Sequence, residues 1–152
     1  MKKAIVLYDT KYGNTKSVAE AVSEGIRGAG VECVVMKIEE IHTLELANFD
    51  LIVFGCPNHN QAPSLTMQKY IDRVAAVPIS GKSVAAFDTY TGLNKGIALK
   101  KLEAHIKDKL RGVFLVAPGF SARVKSRTGP VAEEDLPKAK DFGLEIAKKT
   151  SN

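Results

Sequence analysis

The residues best suited to binding a ligand form a short polar stretch near the start of the chain, Thr10-Lys11-Tyr12-Gly13-Asn14-Thr15. An apolar run at 4–7 precedes it, and apolar residues recur at helical spacing over 18–26, so the stretch is predicted to lead from a buried strand into a helix. The first N–H groups of a helix lack intrahelical acceptors, and the helix dipole adds about half a positive charge there. This chemistry indicates binding of an anion such as a phosphate group. A capped turn without a ligand is the alternative, because Asn14 and Thr15 are also good helix caps.

Two further polar stretches follow apolar runs in the same way. The run 50–56 leads into Pro57-Asn58-His59-Asn60-Gln61-Ala62, and the run 82–88 ends in Asp88-Thr89-Tyr90-Thr91-Gly92. Both stretches combine polar side chains with residues that favour turns. They are therefore candidates for the walls of the same binding site.

Short apolar runs alternate with amphipathic segments along the chain, which indicates strands alternating with helices. Strands are predicted at 4–7, 31–38, 50–56, 82–88 and 112–118. Helices are predicted at 18–26, 64–77, 94–106 and 132–149, with at most a short helix at 39–47, and the segment 119–130 shows no clear periodicity. The pattern predicts an α/β fold with a five-stranded parallel sheet covered on both faces. Ligands of such sheets bind outside the carboxyl ends of the strands, where the three polar stretches lie.

The length of 152 residues predicts one domain spanning 1–152, and 45% hydrophobic with 26% charged residues is ordinary for a globular protein. No apolar run approaches the roughly 20 residues that cross a bilayer, so no membrane insertion is expected. The start, Met1-Lys2-Lys3, lacks the features of a signal peptide. Cys33 and Cys56 show no metal-ligand spacing, so a reduced, cytoplasmic protein without a metal site is expected.

The positive charge is concentrated in the second half of the chain. The net charge is +5 overall, −1 over residues 1–76 and +6 over residues 77–152. The basic residues are dispersed among acids, as in Lys100-Lys101-Leu102-Glu103, and no nucleic-acid motif accompanies them. Most of these residues are therefore expected to lie on solvated faces, and the positive half favours acidic partner proteins rather than nucleic acid.

Four other α/β classes lack their defining residues in this chain. The first polar stretch has only Gly13 where a dinucleotide fold needs Gly-x-Gly-x-x-Gly, and the P-loop pattern is absent. A phospho-acceptor domain needs an aspartate where Gly55 and Cys56 end the third strand, and neither cysteine begins the Cys-x5-Arg of a small phosphatase. All four classes are therefore disfavoured.

The stretch Thr10 to Thr15 resembles the first loop of the flavodoxins, which reads Ser/Thr-x-Thr-Gly-Asn-Thr, and the likeness in strand count, loop placement and length extends over essentially the whole chain. This resemblance implies a doubly wound, three-layer fold with strand order 2-1-3-4-5 and one non-covalent FMN. It implies that the backbone N–H groups of residues 11–15 and the hydroxyls of Thr10 and Thr15 bind the phosphate. The ring would lie between residues 57–62 and 88–92, with Tyr90 stacked on it and Asp88 near its polar edge.

The chain departs from the family pattern at several positions. Tyr12 replaces the middle threonine of the loop, and the chain has no tryptophan to stack on the ring. Lys11 and Lys16 could bring cations close to the phosphate, or point into water. His59 could titrate next to the ring, or be an ordinary loop histidine in water. Cys56 could approach the cofactor, or be an inert packing thiol.

Three functions are consistent with these residues. The leading hypothesis is an FMN-binding electron carrier that passes one or two electrons between redox partner proteins and has no catalytic residues of its own. The alternative is a small FMN-dependent oxidoreductase acting on a quinone or protoporphyrinogen-like substrate. The basic stretch 121–127 could be its short substrate-binding insertion, or equally an ordinary connection. A flavin-free interaction module on the same fold is the third.

Overall fold

The computed structural model describes residues 2–150. Its strands are β1 (Lys3–Tyr8), β2 (Glu32–Lys37), β3 (Leu51–His59), β4 (Ala62–Pro63), β5 (Ser83–Tyr90), β6 (Phe114–Leu115) and β7 (Phe120–Arg123). They form one sheet with the order β2-β1-β3-β5-β6, in which every pair along this path is parallel. The order 2-1-3-4-5 of the main strands is therefore confirmed.

The fifth strand differs from its prediction, because 112–118 does not form one continuous strand. Only Phe114 and Leu115 pair with the start of β5, as β6, and the chain pairs again with the end of β5 as β7. The interruption lies at Pro118, which has no N–H group to donate to a ladder. At Gly119 an added Cβ would collide with the backbone oxygen of Ala86, so the chain passes too close to β5 for any other residue. Part of the segment 119–130 is therefore strand, which its lack of periodicity did not predict.

Four α-helices flank the sheet: α1 (Asn14–Gly28), α2 (Leu65–Val74), α3 (Ile97–Lys109) and α4 (Asp135–Thr150). They correspond to the four long predicted helices, with ends that differ by a few residues. The short helix expected at 39–47 is a pair of 3-10 turns, Ile38–Glu40 and Thr43–Asn48. No helix within residues 2–150 has both the length and the apolar character needed to cross a bilayer.

Alternate residues of the strands pack against opposite helical layers, which gives the predicted three-layer arrangement. Ile5 and Leu7 of β1 lie in a core shared with α2 and α3, whereas Ala4, Val6 and Tyr8 lie in a core shared with α1 and α4. Asp88 and Thr15 are among the polar residues that are also buried. Both lie at the carboxyl ends of the strands or just beyond them, the edge that holds the site.

Candidate functional site

The three polar stretches meet at a single cleft of about 580 Å³ outside the carboxyl ends of β1, β3 and β5. The sequence-predicted residues that line it are Thr10, Lys11, Tyr12, Asn14, Thr15, Pro57, Asn58, His59, Asn60, Thr89, Tyr90 and Thr91. The predicted residues that do not line it are Gly13, Gln61, Ala62, Asp88 and Gly92. β1 and β3 are neighbours in the sheet, but the strand that follows β1 lies toward one edge and the strands that follow β3 lie toward the other. The cleft therefore lies at the point where the strand order reverses.

The first turn of α1 opens into this cleft without a side-chain cap. The capping position is Gly13, with φ of 89°, so neither Asn14 nor Thr15 acts as the cap. Gly13 donates its own N–H to Thr10 Oγ1 at 2.9 Å, and the first turn contains no acidic residue. The helix N-terminus therefore combines free donors with a positive dipole end, the arrangement that binds a phosphate group.

Two buried hydroxyls join the first and third loops. Thr15 Oγ1 and Thr89 Oγ1 lie 3.0 Å apart, and the two residues are only 1% and 4% exposed. A buried hydroxyl left without a partner is costly, so this pair stabilises the relative position of two walls of the cleft. The sequence predicted both residues but not the bond between them, which depends on strands far apart in the chain.

The second loop is a tight β-hairpin rather than an open loop. Asn58 and His59 of β3 pair with Pro63 and Ala62 of β4, and the two turn residues between them, Asn60 and Gln61, have φ of 53° and 63°. Positive φ at both central positions matches the twist of a two-residue hairpin.

Two side chains hold this hairpin in place. Asn58 Oδ1 accepts the Gln61 N–H at 2.9 Å, and Lys101 of α3 donates its Nζ to the Gln61 carbonyl at 2.8 Å. The Nδ2 atom of Asn58 is buried without a hydrogen-bond partner in the protein. Since Asn58 lines the cleft, this nitrogen is an unsatisfied donor within the cleft wall.

The Asp88 carboxylate forms hydrogen bonds with other protein groups, and Asp88 does not line the cleft. It is fully buried and accepts hydrogen bonds from the Leu99 N–H at 3.0 Å and from the Ser121 hydroxyl at 2.5 Å. Burial raises the pKa of Asp88 to about 6, although both hydrogen bonds lower it. Its carboxylate thus ties the start of α3 to β5 and β7, and contact with a cofactor stays a prediction.

His59 and Cys56 differ in their environments. His59 is exposed and lines the cleft. Cys56 has no exposed surface, and burial raises the pKa of its thiol to about 12. A thiol held neutral in an apolar core is unreactive, which agrees with a packing role for Cys56.

Two cleft residues were missed by the sequence analysis, Val124 and Arg127. They belong to the loop between β7 and α4. The parallel pairing of β7 with β5 carries this loop to the carboxyl edge of the sheet. The basic stretch 121–127 was visible in the sequence, but its position depends on β7, which was not predicted. Within residues 2–150 no group of His, Cys, Asp and Glu side chains is arranged to hold a metal ion.

A doubly wound parallel sheet with an uncapped helix N-terminus and polar loops at its switch point defines a class of proteins that bind a phosphate-bearing cofactor. Comparisons with known proteins identify the family. The family model described as Flavodoxin matches residues 6–135, so the chain belongs to the flavodoxin family. Flavodoxins bind FMN and transfer electrons to partner proteins, and this chain is an FMN-binding electron-transfer protein.

Individual relatives agree with this assignment. The chain is 29% identical to a flavodoxin of Clostridium saccharobutylicum, over 97% of this chain and 96% of the relative. A flavodoxin of Aquifex aeolicus is 33% identical over 63% of this chain and 54% of its own length. Among solved structures, a flavodoxin from the domain Archaea has a TM-score of 0.86 and 28% identity, with 99% of both chains covered.

Proposed function

We propose that FMN occupies the cleft with its phosphate against residues 10–15 and its ring between the 57–62 hairpin and the 89–92 loop, where Tyr90 stacks on it. The observation that carries this proposal is that unsatisfied donors lie on two walls of the same cleft. The uncapped N-terminus of α1 forms one wall, and the partnerless Nδ2 atom of Asn58 lies in the other. A phosphate suits the first and a ring carbonyl suits the second, so the residues present fit FMN.

The protein acts as a carrier rather than as an enzyme with its own substrate. Bound FMN takes up and releases electrons one or two at a time, and the chain binds the cofactor, shields it and holds its orientation. The stretch 121–127, which would be the substrate-binding insertion of such an enzyme, consists of the end of β7 and part of a short loop, which is closed by a bridge between Val124 and Val131. A quinone or protoporphyrinogen oxidoreductase is therefore less well supported.

The redox partners of this carrier are acidic proteins. Two exposed cations line the cleft, Lys11 and Arg127, and neither makes an ion pair within the described residues. An acidic surface would be steered toward them, so association should slow as ionic strength rises.

The two buried free cysteines, Cys33 and Cys56, are consistent with a reducing compartment, the cytoplasm.

Titration of flavin-free protein with FMN tests the proposed site. Asn58→Ala removes both the partnerless donor and the Oδ1 acceptor that holds the hairpin, and we expect FMN to bind at least about three- to tenfold more weakly. Asn48→Ala is the matched control, because Asn48 is an exposed asparagine away from the cleft. Equal affinities of both variants and the wild type would place the flavin elsewhere.

A further inference from the structure

Beyond the neutral phosphate site, the structure contains a cation on a separate loop that faces the same cleft. We propose that Arg127 is a specificity-determining residue whose guanidinium binds the FMN phosphate, so that this chain selects the phosphorylated flavin partly by charge. The inference rests on the proposed function, because it assumes that FMN occupies the cleft. It adds a residue that neither the first loop nor its resemblance to relatives indicated.

Arg127 occupies a defined position in a tight turn. The Gly129 N–H donates to the Ser126 carbonyl at 3.0 Å, and the Ser126 hydroxyl donates to the Gly129 carbonyl at 2.6 Å. The base of the loop is closed by the bridge between Val124 and Val131. The backbone that carries Arg127 is thus held by hydrogen bonds on both sides of the residue.

The turn packs against the phosphate end of the cleft. A Cβ placed on Gly129 would lie 2.5 Å from Asn14 Oδ1 and 3.1 Å from its Nδ2. Asn14 is the first residue of α1, so the turn rests on the uncapped helix N-terminus. Arg127, two residues away from Gly129, lines the cleft together with Thr10 and Thr15.

Arg127 differs from the two basic residues before it, Arg123 and Lys125, because they lie close to acidic side chains and it does not. Arg123 pairs with Glu134 at 3.0 Å, and Lys125 lies 4.0 Å from Glu133. Within the described residues Arg127 has no ion-pair or hydrogen-bond partner. Lys11, the other Lys or Arg side chain that lines the cleft, lies over the Tyr12 ring at 5.5 Å. A guanidinium matches the geometry of a phosphate better than an ammonium does, because it donates two parallel hydrogen bonds.

Binding of two ligands to flavin-free protein tests the proposal. FMN and riboflavin differ only in the phosphate, so their affinities separate phosphate contacts from ring contacts. We expect Arg127→Gln to weaken FMN binding about tenfold and to leave riboflavin binding unchanged. The exposed position of Arg127 limits the effect through solvent screening. Arg127→Lys should retain part of the preference for FMN, because it keeps the charge.

Lys125→Gln is the matched control, since Lys125 belongs to the same loop but is paired with Glu133 and does not line the cleft. It should change neither affinity.

The loss of FMN affinity in Arg127→Gln should become smaller as salt rises. It should also become smaller below about pH 6, where a phosphate monoester loses one negative charge.

Three results would overturn the inference: unchanged FMN affinity in Arg127→Gln, equal losses for FMN and riboflavin, or an equal loss in Lys125→Gln. Failure of the wild type to bind either flavin would instead contradict the proposed function. The two failures are therefore distinguishable in one set of titrations. Thermal unfolding of the flavin-free variants shows whether each is folded, and no shift is expected, because residues 125 and 127 are exposed.

Discussion

Asp88 illustrates how a single residue can have a structural role at the edge of a binding site. Its carboxylate accepts the Leu99 N–H and the Ser121 hydroxyl, and Ser121 Oγ in turn accepts the Gly96 N–H. The residue identity and its place at a strand end could be predicted from the sequence. Its hydrogen bonds could not, because they depend on β7, whose pairing brings Ser121 beside Asp88.

The raised pKa of Asp88 predicts a pH-dependent stability. In the folded chain the pKa is about 6, compared with the ordinary value of 3.8, so the folded state holds the proton more tightly. The contribution of this group to the free energy of unfolding is greatest below about pH 4 and is lost as pH rises through about 6. The total loss is about 3 kcal/mol for this shift.

Denaturant unfolding of flavin-free Asp88→Asn between pH 4 and pH 7 checks this prediction. The asparagine keeps the shape and cannot ionise, so the stability difference between variant and wild type should change by about 2 kcal/mol over that range, in favour of the variant at the higher pH. Asp141→Asn, at an exposed site, should show no such change. Parallel curves for wild type and Asp88→Asn would contradict the prediction.

The buried pair of Thr15 and Thr89 gives a second residue-level prediction. Thr15→Val keeps the shape but leaves the Thr89 hydroxyl buried without its partner, 3.0 Å away in the wild type. We expect a loss of about 1–3 kcal/mol in the free energy of unfolding, together with weaker FMN binding. Thr66→Val, on the exposed face of α2, is the control and should leave both quantities within error of the wild type.

At the level of elements, the sequence predicted best those strands and helices that show a clear side-chain periodicity of their own. The apolar run of β1 and the spacing of Val18, Val22 and Ile26 predicted the strand, the helix and the loop between them, because side-chain periodicity reflects burial directly. β4, β7 and the interruption of the fifth strand were not predicted. A two-residue strand such as Ala62–Pro63 has no period to detect, and its existence depends on β3 beside it.

Helices α1 and α4 pack backbone to backbone through two glycines, which the sequence did not indicate. A Cβ on Gly143 would collide with the Val22 carbonyl, and a Cβ on Gly25 would collide with the Lys140 carbonyl. Close contact of this kind requires the absence of a side chain at the crossing.

We therefore predict that Gly143→Ala destabilises the folded protein, even though alanine is the better helix former. We expect a loss of about 1–3 kcal/mol from overpacking, larger than the gain of about 1 kcal/mol in helix propensity. Gly28→Ala is the matched control, because a Cβ there has nothing within 4 Å. It should be neutral or stabilising in denaturant unfolding, and equal effects of the two substitutions would contradict the proposed contact.

At the level of the whole molecule, the net charge of +5 is expected to ease full reduction of the flavin, since reduction adds negative charge. Lys11→Gln should make the two-electron potential about 10 mV more negative, the effect of removing one cleft-lining charge that water screens from the ring. Potentiometric titration at low and high salt measures it, and the shift should diminish with salt. Lys69→Gln, on the exposed face of α2, should shift the potential less.

The global arrangement of the site was predictable only in part. Alternation of strands and helices predicts that loops after β1, β3 and β5 meet at one edge, and the cleft confirms that they do. Arg127 and the hydrogen bond from Lys101 to Gln61 could not be predicted, because each joins parts of the chain whose relative positions come from the sheet as a whole.

Uptake of FMN by flavin-free protein is the most direct test of the account. We expect one FMN per chain to bind at micromolar concentration and to lose its fluorescence, with affinity reduced by Asn58→Ala and Thr15→Val and unchanged by Asn48→Ala. Folded protein that takes up no FMN under these conditions would contradict the central claim that the three loops form a flavin site.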